Sequence, residues 1–142
     1  MFGWGKKPLV GVRVAILATD GVEQIEIKSP WKALVKAGAE VYLISPRKGK
    51  IQAVNKLTPG DRIPVDATLD EVHPASFAAL LLPGGSVNPD TLRQDKKALD
   101  FVRAFEKSNK PIAAICHAPW LLASLGTARG RTLTSWPGIQ DD

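Results

Sequence analysis

Pro111-Ile-Ala-Ala-Ile-Cys-His-Ala-Pro-Trp-Leu-Leu122 holds the fold's clearest signal. Through Ile115 it is a short apolar run that reads as a buried strand, and from His117 it reads as the opening of a helix. The only cysteine of the chain, Cys116, stands at the junction. Ala114 and Ala118 flank it two residues away on each side, the small-x-nucleophile-x-small pattern that a sharp strand-to-helix elbow requires sterically. At such an elbow the sulfur faces the first unpaired amides of the helix, whose partial positive charge favours thiolate over thiol. A lone cysteine also serves as a small buried hydrophobe. The segment by itself leaves a nucleophile and an inert structural residue both open.

Three further runs have the same character: Val12 to Ala18, Val41 to Ile44 and Phe77 to Leu82. They are mostly apolar without strict alternation, which predicts strands buried on both faces. Between the first two, Ile27, Trp31, Leu34 and Val35 fall at helical spacing and Gly38 follows as a C-cap, with Pro30 expected to kink the first turns or to split them off. Ahead of the cysteine strand, Ala98, Phe101, Val102 and Phe105 make one helical stripe. Strands alternating with helices predict an α/β fold, a flavodoxin-like, doubly wound, mainly parallel sheet with helices on both faces. Residues 47–70 break the alternation and read as a peripheral hairpin or edge strands, with pieces at Lys50 to Val54 and Arg62 to Val65. A chain of 142 residues with 44% hydrophobic content predicts one domain, residues 12–142, behind an N-terminal extension of residues 1–11 that contains Trp4.

Composition narrows the function classes. One cysteine excludes an internal disulfide and suits a reducing cytosol, and His73 and His117, the only imidazoles, give no metal-ligand spacing. No apolar run approaches the roughly 18 residues of a membrane span, and the N-terminus lacks the apolar stretch of a signal peptide. The formal charge of +5 includes the clusters Arg47-Lys48-Gly49-Lys50 and Arg129-Gly130-Arg131, too short and too free of aromatics for a nucleic-acid footprint; they read as solvated loops. Neither GxGxxG nor a Walker pattern is present, so no nucleotide cofactor is expected.

In an open parallel sheet, ligands bind beyond the carboxyl ends of the strands. Three loops emerge there: Asp20-Gly-Val-Glu23, Pro83-Gly-Gly-Ser86 and Cys116-His117. A carboxylate, a glycine pair and a thiol are thereby expected at one edge. Glu23 as an anion would raise the thiol pKa, and as a neutral acid would donate a hydrogen bond to a thiolate; as a first-turn glutamate it would only favour the helix dipole. Glu26 competes for the role but lies further into the helix. Gly84-Gly85 permits a backbone amide to face an oxyanion. His117 reaches the sulfur only if the elbow is strained, and Trp31, Trp120 and Trp136 read as core or rim residues.

These residues resemble the PfpI-type intracellular protease family, in the superfamily of class I glutamine amidotransferase-like fold that also holds the Parkinsonism-associated deglycase. The resemblance rests on Ala18 to Glu26, Leu82-Pro-Gly-Gly85, Ala114 to Trp120 and Thr132 to Gly138, and runs from about Val12 to the last residue. It implies Cys116 as nucleophile, Glu23 as the acid that tunes it, His117 as general base, and the amides of Gly85 and His117 as an oxyanion hole. It also implies homodimers or higher assemblies in which Asp90, where a glutamate is usual, orients the histidine of a neighbouring copy. No cofactor, metal, nucleic acid or membrane is implied. The implied activities, on a peptide or a small carbonyl substrate, are peptide hydrolysis, glyoxalase conversion of methylglyoxal to lactate and repair of glycated protein amines in a cytoplasmic stress response. The alternative is a stress chaperone or a redox sensor without turnover. Family members normally continue past this point with further strands and a closing helix, so this domain is expected to be C-terminally short, with apolar sheet surface exposed.

Overall fold

Alternation along Arg13–Leu17 (β1) serves two layers at once. In the computed structural model, which describes residues 5–142, Ala15 and Leu17 face one apolar cluster, and Ile16 with Ala18 faces another. Trp4 lies outside the described residues. The first cluster gathers Phe101, Val102 and Phe105 of the helix Lys96–Lys107 and Leu121 and Leu122 of the helix Pro119–Leu125. The second gathers Ile27, Leu43, Ile51, Ala53 and Ile63.

The elements follow in chain order. After β1 come Val22–Glu23 (β2), Gln24–Lys36 (α1), Glu40–Ser45 (β3), Lys50–Asn55 (β4), Thr58–Pro64 (β5) and Ala67–Thr68 (β6). Then come Ala79–Leu82 (β7), Val87–Arg93 (α2), Lys96–Lys107 (α3), Ile112–Ala114 (β8) and Pro119–Leu125 (α4). The five-stranded sheet has the order β6-β3-β1-β7-β8 and is parallel throughout. The chain leaves β1 towards β3 on one side and later returns to place β7 on the other. The order therefore reverses between β1 and β7, where an open sheet forms its crevice.

The expected α/β class and its strands are present. The four apolar runs form β1, β3, β7 and β8, and the stripe Ala98, Phe101, Val102, Phe105 is buried on α3. Asp95 caps that helix by accepting from the amides of Lys97 (2.8 Å) and Ala98 (3.2 Å). Helix α1 is not divided into two pieces: it runs as one helix through Pro30. The proline removes one amide donor, and the helix continues beyond it to Lys36. Its end is a Schellman motif: Gly38 has φ +101, its amide reaches the Val35 carbonyl, and the Ala39 amide reaches that of Leu34, both at 3.0 Å.

Residues 47–70 form the expected hairpin, β4 antiparallel to β5, but it is no peripheral appendage. Strand β4 also pairs in parallel with β2, making a second sheet of order β2-β4-β5 that covers α1's side of the main sheet. At the far edge β8 is only partly covered, with Ala113 exposed, and Ile115 just beyond it is 46% exposed. No helix among the described residues is long and apolar enough to cross a membrane.

Candidate active site

The cysteine sits where an elbow requires it, in a conformation few side chains adopt. Cys116 has φ +62, a left-handed backbone at a non-glycine residue, between β8 and α4. Such strain persists only where the surroundings over-determine it. Here the Ile115 amide is bound to the Leu82 carbonyl at 3.2 Å, and the Cys116 carbonyl accepts from the Trp136 amide at 2.8 Å. The turn after β7 closes over the sulfur. A Cβ built on Gly84 would lie 2.6 Å from the Cys116 Cβ and 2.5 Å from Glu26 Oε2, so only glycine fits between those two side chains. Gly85, at φ +84, lies so close to the Gly21 carbonyl that a Cβ there would collide with it.

The carboxyl beside the thiol is Glu26, and this corrects the expectation for Glu23. Glu26 Oε2 accepts from the Gly84 amide at 2.8 Å and contacts the Cys116 side chain. Both oxygens of Glu23 instead accept from the Lys56 amide at the hairpin tip, each at 3.1 Å. The reason is local. Glu23 belongs to β2, opposite Val54 of β4, and its extended backbone (φ −66, ψ 121) turns its side chain to the hairpin. The helix starts only at Gln24, which brings Glu26 within its first turn back towards the sheet edge.

Burial pushes the Glu26 carboxyl above its ordinary range, against the pull of the Gly84 amide; the nearby Glu23 charge adds to the rise. Burial also pushes the Cys116 thiol up, the Gly85 and His117 amides pull it down, and the Glu26 charge raises it further. The expectation that the helix start would depress the thiol is therefore outweighed. Helix α4 begins three residues later, at Pro119, and among the described residues two amides reach the sulfur. Those two, from Gly85 and His117, are the pair expected to form an oxyanion hole.

His117 does reach the thiol, with Nδ1 3.1 Å from Sγ. Its ring lies between two indoles: Trp136 stacks on it at 5.6 Å and 20°, and Trp120 meets it edge-on at 5.0 Å. Trp120 and Trp136 thus frame the site, beyond the core or rim role read from sequence. His73 is exposed ahead of a short 3-10 turn. Asp90 is exposed on α2, where its carboxylate and its carbonyl both accept from Gln94 Nε2. It makes no hydrogen bond to His117 of its own chain.

Asn88 was not singled out by sequence reasoning and is fully buried. Its Oδ1 accepts from the Thr19 amide at 2.8 Å, and its Nδ2 donates to the carbonyls of Pro83 and Gly84, both at 3.0 Å. It ties the end of β1 to the glycine turn. By holding the Gly84 carbonyl away from the sulfur, with help from the Glu23 amide at 3.3 Å, it leaves the Gly85 amide aimed inward. An asparagine in the first turn of a short helix carries no signal that separates this duty from ordinary capping.

The model of the DJ-1/PfpI family matches residues 12–142. A deglycase of Pyrococcus horikoshii is 40% identical over 131 residues, covering 92% of this chain and 76% of the relative. Protein/nucleic acid deglycase 2 of Escherichia coli is 45% identical over 124 residues, covering 87% of this chain and 70% of the relative. Among solved structures, a two-domain protein of Anabaena variabilis with DJ-1/ThiJ/PfpI-like and ferritin-like domains superposes with a TM-score of 0.86 at 30% identity, covering 92% of this chain and 37% of that one.

Proposed function

Since the chain belongs to the DJ-1/PfpI family, we propose that it is a cysteine-dependent stress-response hydrolase whose Cys116 attacks carbonyl substrates, with glyoxalase or protein deglycase chemistry as its main activity. The observation that carries this reading is the meeting of a carboxyl, a thiol and two backbone amides at the strained residue Cys116. Relatives named as deglycases favour deglycase chemistry over plain peptide hydrolysis.

Chemistry follows from the roles available. The sulfur adds to an aldehyde carbon as the C=O π bond breaks, and Glu26 in its acid form delivers a proton to the oxygen, giving a hemithioacetal. The amides of Gly85 and His117 donate to the oxygen while it carries charge. For a 1,2-dicarbonyl, a base then moves a proton from the sulfur-bearing carbon to its neighbour through an enediol. The product is a thioester, with no net oxidation, and water releases the hydroxy acid and the thiol. His117 is the available base, at 3.1 Å from the sulfur and held between two indoles.

We place the protein in a reducing cytosol as a homodimer or higher assembly, with Asp90 of one copy orienting His117 of another. The test is turnover of methylglyoxal by wild type and Cys116→Ala. Lactate from the wild type alone supports the proposal. Equal lactate from both proteins, or cleavage of unglycated peptide without lactate, overturns the deglycase reading. Suppression of client aggregation that survives in Cys116→Ala, with no turnover in either, would favour a chaperone.

A further inference from the structure

The basic segment Arg47 to Lys50, read from sequence as a solvated loop, lines a cleft of about 530 Å³ at the carboxyl ends of β1 and β3. Four cations border it, Arg47, Lys48, Lys50 and Arg62, against one carboxylate, Asp20. Arg47 is paired with Asp20 at 3.1 Å and Lys48 with Glu71 at 2.9 Å. Asp20 is further occupied by the Gln52 amide at 2.7 Å. Lys50 and Arg62 have no ion pair among the described residues, and the register sets Arg62 opposite Gln52, on the hairpin face that Lys50 shares.

A second observation points to a ligand. Ser45, at the last position of β3, belongs to the cleft's lining; the residue is 1% exposed and its hydroxyl has no hydrogen-bond partner. Burying a hydroxyl unpaired costs free energy that an acceptor would recover. Two unpaired cations and an unsatisfied donor lining one cleft are complementary to an ion with several acceptor oxygens and more than one negative charge. A carboxylate is met by one guanidinium, whereas a phosphate dianion has oxygens enough for a guanidinium, an ammonium and a hydroxyl together.

We propose that this cleft binds a phosphate dianion, either inorganic phosphate or the phosphate of a small phosphomonoester, through Arg62, Lys50 and Ser45. The site goes beyond the cysteine chemistry and does not rest on it, although the two are neighbours. Gly21, next to Asp20, is the residue against which the Gly85 turn packs.

Calorimetric titration of the full chain, in its native assembly and at fixed ionic strength, tests the proposal with inorganic phosphate and with glycerol phosphate. The expected result is saturable binding, weakened about tenfold by Arg62→Gln and about threefold or more by Ser45→Ala. Ser45→Ala should leave the melting temperature without phosphate unchanged or higher, because the hydroxyl has no partner to lose; a purely structural serine would lower it. Tighter binding of glycerol phosphate identifies a phosphomonoester as the ligand, and equal binding identifies phosphate itself. No saturable heat with either probe, or affinities untouched by both substitutions, overturns the proposal; so does a cleft already filled by an acidic side chain of a second copy, which gives the same silence. The same titration on Cys116→Ala should match wild type, so that a failed cleft and a failed active site are told apart.

Discussion

Glu26 and Cys116 each resist ionisation because burial penalises their charge, and two anions in contact penalise each other again. The pair therefore tends to keep one proton between them, and its titration belongs to both groups. This sets the sign of a first prediction. Glu26→Gln removes the charge that raises the thiol, so alkylation of Cys116 should persist to lower pH than in wild type, while turnover, deprived of its acid, should fall by roughly 10²–10⁴-fold. Glu23→Gln should leave turnover within a few-fold of wild type, since that side chain is spent on the Lys56 amide. Gly84→Ala would force a methyl into the contact between Glu26 and Cys116, and we expect loss of activity together with a lowered melting temperature. Asn88→Ala strands the Thr19 amide and two carbonyls; about 1–3 kcal/mol of stability should be lost for a group left unsatisfied, measured by denaturant unfolding.

At the scale of elements, the strands and α3 could be read from the chain because burial on both faces and a helical apolar stripe leave direct periodic signals. The start of α1 could not. Val22 and Glu23 look like the last loop residues before a helix, yet they pair with Ala53 and Val54 as a two-residue strand, and no local pattern announces a partner thirty residues away. That small strand moves the helix start and with it the choice between Glu23 and Glu26. The elbow and the Gly84-Gly85 turn were legible because sterics dictate their residue types; Asn88 and the indoles around His117 were not, because their duties depend on tertiary contact. The segment after α4 also acts as an element of the site. Arg131 anchors it to Glu106 of α3 through two hydrogen bonds, of 3.2 and 2.8 Å, and its Trp136 then covers His117. Trp136→Ala should cost about 0.5–1.5 kcal/mol beyond lost area and loosen the imidazole, so a modest change in melting temperature should accompany a larger drop in kcat.

Over the whole molecule, a parallel sheet gathers residues from three distant loops at one edge, and that convergence turns a lone cysteine into a candidate nucleophile. The same edge carries Asp90, exposed on α2 and hydrogen-bonded to Gln94, which gives the proposed assembly a measurable consequence. Mixing Asp90→Asn with Cys116→Ala subunits under exchange conditions should restore part of the turnover that each variant lacks alone; if mixed samples stay as inactive as their parents, Asp90 serves no neighbouring site. The measurement that tests the central claim most directly is the pH dependence of Cys116 alkylation by iodoacetamide, read by intact mass on folded wild type, Glu26→Gln and Glu23→Gln. A pH limb displaced downward in Glu26→Gln and nearly unmoved in Glu23→Gln is the predicted result. Superimposed limbs for all three proteins, or a displacement confined to Glu23→Gln, would contradict the pairing of Glu26 with Cys116 from which the mechanism is built.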